Sequence, residues 1–128
     1  MRVLLDTHVF LWWITGDSRL SARAYEVIKE TKNEIYLSAA SGWEMAIKAG
    51  LGKLRLQGEP MSFITEQLVI NGFESLPVQL NHSLFVYSLP EHHRDPFDRL
   101  LVAQAKLENL LLVTADNKIT KYEVEVIW

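Results

Sequence analysis

Four carboxylates are set apart in this chain by where they fall: Asp6, Glu44, Asp98 and Asp116. Asp6 ends the apolar run Val3-Leu4-Leu5, and Asp116 follows Leu110-Leu111-Leu112-Val113 by way of Thr114 and Ala115. Both runs read as buried strands, which puts each acid at or just past a strand's C-terminal end. Glu44 and Asp98 fall near the starts of segments patterned as helices, in the first turn of each. Carboxylate oxygens gathered in one place suit Mg²⁺ or Mn²⁺, which keep some of their waters and bind substrate phosphate. The chemistry on offer is phosphodiester hydrolysis. A cation lowers the pKa of an attacking water, and a second about 3.5–4 Å away stabilises the leaving oxygen. No serine or histidine nucleophile is required.

The acids meet only if the elements that carry them share an edge. After the first strand, residues 9–14 predict a short, well-buried helix, stopped by Thr15-Gly16-Asp17. Ser21 has the position of an N-cap for a helix to about residue 31. Residues 34–37 predict a strand, 38–49 a helix closed by Gly50 and Gly52, and 62–70 a helix with Phe63, Ile64, Leu68 and Ile70 inward. A third strand is expected over 73–76 and a helix over 81–89. Asp95 and Pro96 have the order of an N-cap and a first helical residue, opening a helix to about 107. Residues 110–113 predict a fourth strand. The alternation of Val124 and Val126 with Glu123 and Glu125 predicts an edge strand with one wet face.

Strands alternating with helices imply an α/β fold. We expect a mainly parallel sheet of about five strands, helices on both faces, and one domain spanning residues 1–128. Right-handed crossovers bring the strands' C-terminal ends and the following helix N-termini to one edge, where open α/β sheets bind ligands.

Each acid also has a purely structural explanation. Ser41 to Glu44 has the spacing of a capping box, as does Asp95 to Asp98, and Asp6 and Asp116 can cap turns or short helices. Together the four are harder to explain that way. Converging carboxylates repel one another and have raised pKa values, a conflict that a divalent cation resolves. Thr7 and Thr114 adjoin the acids and can orient a carboxylate or a water, or cap turns. Arg99 can bind phosphate or tether Asp95. His8, His82, His92 and His93 match no zinc spacing, so a ligand role is the lesser reading for each, with His8 and His93 ahead of the other two. Trp12, Trp13 and Trp43 read as core or dimer-interface residues, ahead of base stacking.

With 48% of its 128 residues hydrophobic, the chain can bury a substantial core. No apolar run reaches the roughly 18 residues of a membrane span, and Asp6 would interrupt the apolar middle of a signal peptide. A cytoplasmic location is expected. The absence of cysteine excludes disulfides and thiolate metal sites. A net charge of -3 argues against gripping nucleic acid through overall positive charge, leaving local contacts such as Lys48, Lys53 and Arg55, or Arg94 and Arg99. Phosphotransfer onto an aspartate fits poorly, since Thr7 and His8 follow Asp6 and no aspartate lies between Asp17 and Asp95. A catalytically silent module binding RNA or protein is the remaining alternative.

Four blocks in order carry a resemblance along nearly the whole chain. They are Leu4-Leu5-Asp6-Thr7-His8; Ser41-Gly42-Trp43-Glu44 through Lys48 with Gly52-Lys53-Leu54; His93-Arg94-Asp95-Pro96-Phe97-Asp98-Arg99 through Ala105; and Leu112-Val113-Thr114-Ala115-Asp116. The third is the most specific. The set resembles the PIN-domain nucleases, in particular the VapC-like toxins of prokaryotic toxin–antitoxin pairs. That resemblance implies a PIN-like three-layer fold and Asp6, Glu44, Asp98 and Asp116 as the set coordinating Mg²⁺ or Mn²⁺. It implies Asp98 as the third ligand and leaves Asp95 as a cap or a support behind the ligands. It also implies RNA as substrate, cut to a 5′-phosphate and a 3′-hydroxyl. A homodimer and a small antitoxin whose C-terminal tail blocks the active site complete the expectation.

Overall fold

In the computed structural model, which describes residues 1–128, five short parallel strands form one sheet. They are β1 (Arg2–Leu5), β2 (Glu34–Ser38), β3 (Glu74–Leu76), β4 (Leu111–Val113) and β5 (Val126–Ile127), in the order β3-β2-β1-β4-β5. The helices are α1 (Thr7–Thr15), α2 (Ala22–Lys29), α3 (Ala39–Gly50), α4 (Pro60–Asn71), α5 (Leu80–Phe85) and α6 (Pro96–Glu108). From β1 the chain builds outward through β2 and β3, then returns to lay β4 on the other side of β1. The winding direction therefore reverses between β1 and β4, which opens a crevice at their C-terminal ends.

The central strands β1 and β4 are covered on both faces, and the pleat sorts the sheet's residues between two cores. Val3, Leu5, Ile35, Leu37, Val113 and Ile127 face a core completed by Val9 and Phe10 of α1, Ala24, Val27 and Ile28 of α2, and Met45 of α3. Leu4 and Leu112 face the opposite way, onto Leu101, Val102 and Ala105 of α6 and onto Ile119 and Tyr122. The result is the three-layer α/β arrangement expected from the sequence. No helix is long and apolar enough to cross a membrane.

Several local expectations are corrected. Helix α3 begins one turn earlier than a cap at Ser41 requires, because the Ser38 hydroxyl accepts from Ala40 N–H at 3.0 Å. Ser41 is thus inside the helix, and Glu44 lies in its second turn rather than at a capping-box position. Helix α1 is only partly buried: Trp12, Trp13 and Ile14 are half-exposed because they border surface clefts. In α4 the half-buried stripe is Phe63, Ile64, Gln67 and Leu68, with Ile70 turned to solvent. Residues expected in the 81–89 helix divide between α5 and a 3₁₀ turn at Val86–Ser88. Strand β5 is confined to Val126–Ile127, so Glu123, Val124 and Glu125 lie outside it in the approach to the edge.

The opposite layers are joined by a buried polar bridge. Gln104 of α6, fully buried, accepts the Ser38 hydroxyl at 2.6 Å and donates to the Pro77 carbonyl at 3.2 Å. It thereby anchors the cap of α3. Gln104→Leu strands the buried Ser38 hydroxyl proton and removes the bond to the Pro77 carbonyl, so we expect a loss of about 1–3 kcal/mol. Urea unfolding measures this; an unchanged midpoint would show that the bridge contributes nothing to stability.

Candidate metal centre

Asp6 continues directly from β1, its N–H donating to the Val113 carbonyl of β4 at 3.0 Å. It therefore sits at the reversal point between the two strands. Asp6 also N-caps α1, accepting the His8 N–H on Oδ1 at 3.0 Å. Its other oxygen accepts the Thr114 hydroxyl at 2.6 Å, and the Thr114 oxygen in turn accepts the Asp116 N–H at 3.1 Å. Thr114 thus links the acids that end β1 and β4. Thr7 serves a different contact, donating to Ser41 Oγ at 2.8 Å and tying α1 to α3.

Asp95 caps α6, its Oδ1 accepting the N–H groups of Phe97 at 2.8 Å and Asp98 at 3.3 Å. Pro96 fills the first helical position, where no N–H is needed. This cap directs Asp98 of the first turn to the crevice. Burial, followed by the charges of Asp6 and Asp95, pushes the Asp98 carboxyl up to about 7. Burial likewise raises Asp6, against the opposing hydrogen bond from Thr114. For Asp116 burial is outweighed by the Lys118 N–H and by His93, and its carboxyl is held below the ordinary range. Asp6, Asp98 and Asp116, with His8, Trp12 and Arg19, line one cavity of ≈ 340 Å³.

Glu44 is buried on α3, where Lys48 one turn on reaches its Oε2 at 2.8 Å. Its charge is felt by both Asp6 and Asp98. All four acids predicted from the sequence therefore lie at the same sheet edge, although Glu44 is not in the tightest group. That group is Asp98, Asp116 and His93. The His93 ring nitrogen Nε2 stands 3.0 Å from Asp98 Oδ2 and 2.9 Å from Asp116 Oδ2. A carboxylate set in which burial and neighbouring charges together raise one member suits a hard divalent cation, whose charge relieves both.

The place of His93 between Asp98 and Asp116 is not evident from spacing. Its signal in the sequence is its place in the most specific block. Arg99 also has a use that spacing did not foretell. Its guanidinium donates to the carbonyls of Val86, Leu89, Pro90 and His93 and to the Tyr122 hydroxyl, at 2.9–3.4 Å. It fastens the loop leading into α6. His82 is buried between the Gln79 N–H and Glu108 and does not line the cavity that holds these acids. Trp43 is 63% exposed and so is not a core residue of this chain.

The model of the PIN domain family matches residues 3–125, nearly the whole chain. The chain belongs to the PIN-domain family. This PIN domain is 30% identical over 121 residues to ribonuclease VapC22 of Mycobacterium tuberculosis, covering 94% of this chain and 91% of that one. Its fold is similar to that seen in VapBC2 from Rickettsia felis bound to a promoter DNA fragment (TM-score 0.71, 18% identity, 99% and 98% of the two chains). It is also similar to FitAcB from Neisseria gonorrhoeae (TM-score 0.64, 21% identity, 100% and 97% coverage). A toxin–antitoxin complex from Klebsiella pneumoniae has the same fold (TM-score 0.62, 17% identity, 98% and 96% coverage).

Proposed function

We propose that this PIN domain is a Mg²⁺- or Mn²⁺-dependent endoribonuclease, the toxin of a toxin–antitoxin pair acting in the cytoplasm. The observation that carries the reading is the meeting of Asp6, Asp98 and Asp116 in one cavity where the sheet's winding reverses. The ribonuclease similarity supports RNA as substrate.

Asp6, Glu44, Asp98 and Asp116 are the residues that would hold the metal. Bound there, a divalent cation supplies an activated water and neutralises charge on the scissile phosphate. The protein's own part is positional. Thr114 holds one oxygen of Asp6, and the α6 cap presents Asp98 to the crevice. Lys48 pairs with Glu44 at 2.8 Å, which would place an ammonium beside the metal-holding acids where a substrate phosphate would bind. With a net charge of -3, RNA is held by such local groups, and His8, Trp12 and Arg19 share the cavity with the acids.

For the antitoxin, two clefts along α1, of ≈ 690 and ≈ 610 Å³, offer apolar walls from Leu11, Trp12, Trp13 and Ile14. Exposed apolar side chains such as Leu80, Leu84 and Tyr87 support a homodimer. The deciding experiment incubates the purified protein with single-stranded RNA and Mn²⁺ or Mg²⁺ and sequences the products. We expect 5′-phosphate and 3′-hydroxyl ends and no cleavage in chelator. Cleavage that persists in excess chelator would overturn the mechanism.

A further inference from the structure

His93 lies where two different roles are sterically open to it, and its second ring nitrogen decides between them. Nε2 stands 2.9 Å from Asp116 Oδ2 and 3.0 Å from Asp98 Oδ2, while Nδ1 faces the Asp95 N–H at 3.0 Å. A backbone N–H can only donate, so Nδ1 must be the acceptor and carries no proton. The neutral ring then has its proton on Nε2, donating to Asp116 Oδ2 with Asp98 Oδ2 alongside at 3.0 Å. With one lone pair committed to Asp95 and the other nitrogen protonated, the imidazole has no electron pair left for a cation. Although His93 has metal-ligand spacing with Asp98 and Asp116, this arrangement makes it a donor to Asp116.

We propose that His93 is a positioning residue whose Nε2–H hydrogen-bonds Asp116 and stands 3.0 Å from Asp98, clamping the two carboxylates side by side for a cation. This rests on the metal-binding part of the function proposed above. The surrounding residues serve the same end. The Asp95 backbone sets the ring's tautomer while its side chain caps α6, and Arg99 pins the His93 carbonyl and the preceding loop. Five residues of the block His93-Arg94-Asp95-Pro96-Phe97-Asp98-Arg99 thereby act together: His93 as donor, Asp95 as tautomer setter and cap, Pro96 as helix start, Asp98 as ligand and Arg99 as loop anchor. An imidazole ligand would favour softer metals, whereas a clamp leaves an all-oxygen site suited to Mg²⁺ as well as Mn²⁺.

The test is Mn²⁺ binding to the whole protein, followed by electron paramagnetic resonance, with circular dichroism to verify that each variant folds. We expect His93→Ala to weaken Mn²⁺ binding by about 10–100-fold, the usual effect of removing a donor behind a metal ligand. His93→Gln, whose amide N–H has similar reach, should recover most of that loss. Pulsed measurements on the parent protein should show no directly coordinated nitrogen. A directly coordinated nitrogen that vanishes in His93→Ala would make His93 a ligand and overturn the clamp. Unchanged affinity in His93→Ala would also overturn it. If His93→Ala fails to fold, the parent's nitrogen signal and the affinity of His93→Gln still decide. Metal binding that depends on His93 without RNA cleavage would uphold the clamp and remove the nuclease reading; cleavage with His93-independent binding would do the reverse.

Discussion

Asp98→Asn should lower metal-dependent RNA cleavage by on the order of 10³-fold or more, yet raise the thermal midpoint of the metal-free protein. The two effects share one cause. Asp98 is half-buried between Asp6 and Asp95, and its ionised form is opposed by burial and by both charges. An amide of the same shape removes that repulsion, but it also removes the charge that attracts the cation. Asp6→Asn should abolish cleavage to a similar degree without the gain in stability. Its Oδ1 can still cap α1, but the Thr114 hydroxyl, which now donates to Oδ2 at 2.6 Å, faces an amide that competes as a donor. Initial rates in Mn²⁺ and thermal melts in chelator measure both quantities. Activity within tenfold of the parent in either variant would contradict the assignment, and a lower metal-free midpoint for Asp98→Asn would contradict the electrostatic account.

The second large effect is a pH dependence that metal should reverse. Asp98 has a folded pKa of about 7 against an ordinary 3.8. Between those values the folded protein keeps a proton that the unfolded chain has released. Stability of the metal-free protein should therefore fall as pH rises from about 4 to about 7, and Asp6, also raised, acts in the same direction. Asp116, held low, acts oppositely, favouring the folded state once it ionises and losing that contribution in acid. Mn²⁺ binds the ionised carboxylates, so saturating metal should flatten or invert the fall. Affinity for Mn²⁺ should weaken by up to about tenfold per pH unit below 7, as each bound cation displaces the Asp98 proton. Melts in chelator and in Mn²⁺ across this range, with calorimetric titrations, provide the check. A metal-free midpoint that climbs steadily with pH would show that the acids do not repel as their placement requires.

The buried runs Val3-Leu4-Leu5 and Leu110-Leu111-Leu112-Val113, the caps at Ser21 and Asp95, and the helix opened by Pro96 are all legible in sequence because their causes are local. Unbroken apolar runs and capping hydrogen bonds act over a few residues, and the strand-end acids follow from them. Where several apolar residues compete for one core, that reasoning loses resolution. Ile70 and Trp43 are apolar yet exposed, because the faces of α4 and α3 are chosen by neighbours distant in sequence. Ser41 has capping-box spacing with Glu44, but Ser38 ends β2 and reaches Ala40 first.

The four acids were thus written into the chain at strand ends and early helix turns, and parallel strands with right-handed crossovers sufficed to send them to one edge. Tertiary structure alone decided how they are arranged there. Placing β4 beside β1 puts Thr114 on Asp6, and the loop fastened by Arg99 delivers His93 between Asp98 and Asp116. Those contacts join residues as far apart as Asp6 and Thr114. They depend on sheet order and loop path, which no short-range pattern of residues encodes.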